Sequence, residues 1–165
     1  MPQTDIATAN PPTLVNCVLY GSDGRKVRDI GIEEIGAALQ DPSHFVWVGL
    51  HEPDEPLLDK LQEKFGLHEL AVEDAHAAHQ RTKIEVYGDS LFIAVHTAQM
   101  EKDKIEFGET HMFLGRNYLV SVRHGASRSY AKARRCCESS PMQPAPGPSS
   151  ARSPVPPFPG GPSTP

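Results

Sequence analysis

The segment FGLHELAVEDAHAAHQR, from Phe65 to Arg81, places three histidines, two glutamates and an aspartate within seventeen residues. Side chains of these types bind divalent cations. On a helix, at about 100° per residue, Glu69, Glu73 and His76 share one narrow face, the spacing of a transition-metal site. The string His68-Glu69-Leu70 invites comparison with HExxH, but Val72 stands where the second histidine would be needed. A solvated charged face explains Glu69, Glu73 and His76 more simply. His79 is separated from Asp74 by most of a half-turn, so one helix cannot bring those two together. The adjacent carboxylates Glu73 and Asp74 suit a harder ion, since Mg²⁺ takes oxygen ligands, keeps several waters and needs no imidazole. Neighbouring helical carboxylates diverge by about 100°, so this pair cannot enclose an ion and needs a facing surface. Taken alone, it reads as an exposed pair of charges.

Other chemistry is thinly supported. No GxSxG, GxxxxGK[ST] or strand-GxGxxG-helix arrangement occurs. Cys136 and Cys137 follow Arg134 and Arg135, which could depress a thiol pKa, but they border a proline-rich segment rather than a pocket. A zinc or thiol enzyme built on those cysteines and the histidines is therefore a weaker competitor, and no enzyme activity is expected. The PxxP-like stretch Pro154 to Pro159 matches an SH3-type ligand no better than any proline-rich tail would.

The elements that position these residues follow from periodicity. LVNCVLY (Leu14 to Tyr20), the turn GSDG and RKVRDI read as a β-hairpin. GIEEIGAAL (Gly31 to Leu39) reads as a short helix stopped at Asp41-Pro42. HFVWVGL (His44 to Leu50) is a continuous apolar run, expected as a buried central strand. Leu57, Leu58, Leu61 and Phe65 recur at helical spacing between Pro56 and Gly66, the clearest helix in the chain. A second helix spans roughly Glu69 to Ala78. From Lys83 the period changes, and four strand-like runs with turns at Tyr87-Gly88-Asp89 and Gly115-Arg116-Asn117 suggest antiparallel hairpins. A further helix starts within ASRSYAKARRCCE.

Of the sixteen prolines, ten lie from Pro141 onward. The expected division is a flexible leader over residues 1–13, one domain over 14–140 and a disordered Pro/Ser/Gly-rich tail over 141–165. The fold class is α/β, a mixed β-sheet sandwiched by helices. A formal charge of −5 with no long basic run argues against nucleic acid as a partner. Three cysteines without regular spacing suit a reducing cytosolic setting. The N-terminal residues resemble neither a signal peptide nor an anchor, and no apolar run approaches the roughly 20 residues of a spanning helix.

The order of motifs carries a resemblance. FVWVGLHEPDEPLLDKLQEKFGLHELAVEDAHAAHQRTKIEVYGDSLFIAVHTA, followed by ETHMFLGRNYLVSVRHG, resembles the cytoplasmic N-terminal domain of the CorA family of magnesium and cobalt transport proteins. The family pattern runs WVDL…FGLHPLALED, then QRPKVEEYGDYLFIVL, then FLGKNFLVTVH, and the similarity extends from about Leu14 to Pro141. The resemblance implies a funnel-shaped homopentamer whose cytoplasmic α/β/α domain senses Mg²⁺, and whose two C-terminal membrane helices carry a Gly-Met-Asn motif. By motif, Asp74 matches the regulatory metal-binding aspartate and Glu73 the neighbouring acid that can join a second site. The other carboxylate is expected from a later helix of the adjacent subunit. The regulatory cation that the resemblance implies is Mg²⁺, with Co²⁺ or Ni²⁺ as alternatives. The implied localisation is cytoplasmic for this chain, and the inner membrane for the full-length family protein.

Glu69 and Thr82 stand where the family has proline, and Gly49 where aspartate is common. After RRCCE the family pattern of a long helix gives way to the proline-rich tail, so membrane contact is expected only through helices this chain does not supply. Two origins are open: a frameshift near Met142, since an alternative frame of GC-rich DNA commonly gives Pro, Ala, Gly, Ser and Arg, or a genuine disordered tail on a stand-alone domain. The alternative is a stand-alone soluble module that binds divalent cations or mediates oligomerisation without transport.

Overall fold

The computed structural model describes residues 13–77 and 79–139. The expected tail, the frameshift point, the PxxP-like stretch and residues 1–12 of the leader lie outside the described residues.

Within that span the strands are β1 (Leu14–Tyr20), β2 (Lys26–Asp29), β3 (Phe45–His51), β4 (Lys83–Tyr87), β5 (Ser90–Glu101), β6 (Lys104–Leu114) and β7 (Tyr118–Gly125). The helices are α1 (Ile35–Ala38), α2 (Glu55–Phe65), α3 (Glu69–His76) and α4 (Ala131–Ser139). Among the described residues the seven strands form one sheet in the order β2-β1-β3-β7-β6-β5-β4. All neighbours are antiparallel except β3 and β7, which run parallel. The mixed sheet expected from the sequence is therefore present. The first helix differs in detail, being a 3₁₀ turn over Ile32–Glu34 followed by the single turn of α1.

The apolar run of β3 is explained by its place inside the sheet. Val46, Val48 and Leu50 are fully buried on one face, with Val120 and Val122 of β7 and Phe92 of β5 nearby. Over this face lie Ile32, Ile35, Leu58 and Leu61, together with Ala71, Val72 and Ala75 of α3. Each fully buried aliphatic side chain stabilises by about 1.5–3 kcal/mol through area removed from water, so this layer holds the sheet and α1–α3 together. Helix α2 starts where Asp54 accepts from the Leu57 amide at 3.1 Å, with Pro56 in its first turn, and ends at Gly66 with φ +64. Only glycine takes that left-handed cap without a Cβ penalty.

The opposite face carries α4, completing the sandwich. No α4 residue is buried; the helix is attached by hydrogen bonds, Tyr130 donating to Thr110 Oγ1 and Tyr20 to Glu138 Oε1, both at 2.9 Å. Gly49 also acquires a local reason. A Cβ there would run into the Asn16 side chain, whose Nδ2 donates to the Trp47 carbonyl at 3.2 Å.

Candidate metal site

Helix α3 is set onto the sheet by its buried stripe, Ala71, Val72 and Ala75. His68 caps it, its Nδ1 accepting from the Leu70 amide at 3.3 Å, and the same ring stacks on Tyr87 of β4 with centroids 4.1 Å apart. With that stripe facing inward, Glu73 is exposed and Asp74 falls at the half-buried edge facing β4. The helix ends at His76 rather than at Ala78, which lies outside the described residues.

Asp74 meets a cation already attached to the chain. Lys83 Nζ donates to Asp74 Oδ2 at 2.6 Å and reaches Glu85 Oε2 at 3.0 Å. The lysine and aspartate side chains are 28% and 24% exposed, so water reaches this pair without swamping it. The bond to Asp74 raises the lysine pKa, the second bond to Glu85 adding to it. Glu85 in turn accepts from Tyr87 Oη at 2.8 Å, and its carboxyl is held below the usual range by Lys83 first and Tyr87 second. The result is a carboxylate–ammonium–carboxylate chain under α3, with Glu73 outside it. Among the described residues, no three His, Cys, Asp or Glu side chains already stand in the geometry of a metal site.

The histidines of the segment go three ways. His76 Nε2 lies 3.5 Å from Asp59 Oδ1 of α2, so it is an interhelical partner and not a third member with Glu69 and Glu73. His68 is the cap described above. His79 leaves the helix with φ +80 and turns towards the sheet, where its Nδ1 is 3.8 Å from Glu109 Oε1 on β6.

Sequence reasoning missed what surrounds Glu109. His111 on β6 is fully buried, its Nε2 3.2 Å from Glu109 Oε2 and its ring centroid 5.4 Å from that of His124 on β7. His124 bridges the Ala75 carbonyl of α3 at 2.9 Å and Glu52 Oε2 at 3.1 Å, fastening α3 to the end of the sheet. Burial pushes the His111 pKa down, and His124 adds to the effect. Burial alone would raise the Glu109 carboxyl, but the Gln80 and His79 amides and His111 outweigh it and leave it below its ordinary value. Period-2 reading of Glu109 and His111 puts them on one face; nothing in the local pattern announces that β5, β6 and β7 align their histidines. Cys136 and Cys137 sit on α4, over the other face, so they do not meet these histidines.

Known proteins share this fold and part of this sequence. The family model for the CorA-like Mg²⁺ transporter protein matches residues 42–151. A Bacillus subtilis (strain 168) protein, YfjQ, whose name describes a metal ion transporter, is 25% identical over 128 residues, covering 78% of this chain and 39% of its own length. Among solved structures, the full-length CmaX protein superposes with a TM-score of 0.61 at 14% identity, over 79% of this chain and 41% of that one. The cytoplasmic domain of ZntB from Vibrio parahaemolyticus gives 0.54 at 12% identity, over 76% and 49%. The complete CorA magnesium transporter of Methanocaldococcus jannaschii gives 0.52 at 18% identity, over 74% and 36%. At such identities the structural likeness shows the fold. The chain spans between 36% and 49% of the length of these relatives.

Proposed function

The chain belongs to the CorA-like Mg²⁺ transporter family, and from that premise we propose that its described residues form the cytoplasmic, metal-sensing regulatory domain of a divalent-cation transporter. Among the described residues no helix is long and apolar enough to cross a membrane, so conduction would need segments other than these. The sensed ion is Mg²⁺, with Co²⁺ or Ni²⁺ as alternatives; Asp74 is its ligand from one copy of the chain, and Glu73, exposed beside it, can join a second site.

The observation that carries this reading is Asp74 at the partly buried edge of α3, paired with the Lys83 ammonium, with Glu73 exposed beside it. Lys83 keeps Asp74 neutralised when no ion is present. A hard divalent ion, supported by a carboxylate from a second copy, competes with that ammonium, because Mg²⁺ is satisfied by one or two carboxylates and its own waters. Ion binding then links copies of the chain, in keeping with a homopentameric assembly.

Light scattering and thermal melting with and without Mg²⁺ test this. Mg²⁺ is expected to raise both the particle mass and Tm, and Asp74→Ala to abolish both effects. Stabilisation without a change in mass would favour a stand-alone cation-binding module. A chain whose Tm ignores Mg²⁺ would overturn the sensing role.

A further inference from the structure

Glu109 lies at the centre of a second set of ligand types, on the sheet and not on α3. It is 6% exposed. Its two oxygens have different surroundings. Oε2 accepts from the Gln80 amide at 3.3 Å and faces His111 Nε2 at 3.2 Å, so this oxygen is satisfied from within the fold. Oε1 faces outward, with His96 Nε2 at 3.4 Å and His79 Nδ1 at 3.8 Å. His96 is the direct cross-strand partner of Glu109 between β5 and β6. Its other nitrogen, Nδ1, lies 3.1 Å from Thr82 Oγ1.

These distances have a chemical meaning. Ligand atoms about 2.0–2.2 Å from a tetrahedral zinc-type ion stand roughly 3.4 Å from one another. The Glu109–His96 separation equals that edge, and His79 is within reach of it. Metal-bound imidazoles also use their second nitrogen to bond an oxygen that fixes tautomer and ring orientation, and metal-bound carboxylates are themselves hydrogen-bonded. Thr82 stands in the first role for His96; Gln80 and His111 stand in the second for Glu109. A cavity of about 290 Å³, lined by His79, His96, Phe107, Glu109 and His124, opens at this point and supplies an entry path.

We propose that Glu109 Oε1, His96 Nε2 and His79 Nδ1 form a binding site for a divalent transition-metal ion of the zinc, cobalt or nickel class, with a fourth position left to water. The three do not already stand as a metal centre; His79, whose side chain is 96% exposed, would have to turn towards the ion, which costs little packing. Two nitrogen donors favour such ions over Mg²⁺, which prefers oxygen. The site stands independently of Asp74 and Glu73, sharing no ligand with them.

The test uses the full chain, freed of metal by a chelator, then titrated with Zn²⁺ against a chromophoric competitor and with Co²⁺ in the visible spectrum. One ion per chain is expected, with the intense visible absorption of tetrahedral Co²⁺. His96 and His79 are 50% and 96% exposed, so His96→Gln and His79→Gln leave the core packed, and each is expected to weaken binding at least tenfold. Excess Mg²⁺ should not displace the ion, and the double variant C136S/C137S should bind as the parent does. Absence of one-to-one binding overturns the proposal. So does binding that survives in both histidine variants, or that is lost with the cysteines. None of these outcomes touches the Mg²⁺ response assigned to α3, which is read separately by mass and Tm.

Discussion

Replacing Lys83 by methionine separates an ion-sensing Asp74 from an ordinary surface ion pair. Methionine keeps an unbranched apolar stem near the Phe92 ring, whose centroid is 5.7 Å from Nζ, and removes only the charge and its two bonds. Asp74 and Lys83 are about three-quarters buried as side chains and 2.6 Å apart. A short charge-assisted bond at the upper end of the surface range is worth about 1 kcal/mol. Without added ions the variant should therefore melt about 4 °C lower. The response to Mg²⁺ should move the other way. An ammonium about 5 Å from a bound divalent ion repels it by roughly 2 kcal/mol even at the dielectric constant of water. Removing it should tighten binding at least about tenfold. Melting curves over a Mg²⁺ series for the parent, Lys83→Met and Asp74→Ala read both effects, because stabilisation grows as RT ln(1 + [L]/Kd). If Lys83→Met needs as much Mg²⁺ as the parent for half its stabilisation, the ammonium does not compete with the ion. The reasoning from Lys83 to a displaceable counter-ion then fails.

Acid should destabilise the sheet through His111. Its pKa lies below the ordinary 6.5 in the fold because of burial first and His124 second, so its contribution is complete above pH 6.5 and is lost as pH falls towards the folded value. The slope is at most about 1.4 kcal/mol per pH unit, visible as a falling urea midpoint between pH 7 and 5; a slope undiminished in His111→Gln would assign it to other groups. Leu61→Ala, at a fully buried α2 position, should cost about 2–5 kcal/mol in urea unfolding. Leu70→Ala, on the outer side of α3 and 55% exposed, should change stability by less than about 0.5 kcal/mol. Cys17 is buried and its thiol is pushed up to about 12, by burial first and then by Glu34 and Asp29. An aromatic disulfide reagent should thus label Cys136 and Cys137 in the native protein and Cys17 only after unfolding.

Elements defined by local pattern are legible in the chain itself. Leu57, Leu58, Leu61 and Phe65 could form nothing but an amphipathic helix between Pro56 and Gly66, and α2 has those bounds to within one residue. The run at β3 reads as buried because both faces of an inner strand are covered, by α1–α3 on one side and the Trp47–Ser121 layer beneath α4 on the other. The hairpin of β4 and β5 follows from Gly88, whose φ of +59 suits the turn. The break between the 3₁₀ turn and α1 is not legible, because four or five residues of apolar spacing do not distinguish i+3 from i+4 hydrogen bonding.

For the ligand residues the division is sharper. Chain chemistry alone singles out Glu73 and Asp74 as a carboxylate pair unable to close a site, since neighbouring helical side chains diverge by an angle set by the helix itself. It also makes the histidines of the same segment look incidental, as His68 and His76 prove to be in their roles as cap and interhelical partner. Lys83 as the partner of Asp74, and the meeting of His79, His96, His111 and His124 around Glu109, belong to the tertiary structure. They depend on where α3 lies over β4 and on the register of β5, β6 and β7. A slip of one residue in that register would turn His96 away from Glu109 to the other face. Register is a property of the whole sheet, decided by which apolar side chains are buried together, and no short stretch of sequence contains it.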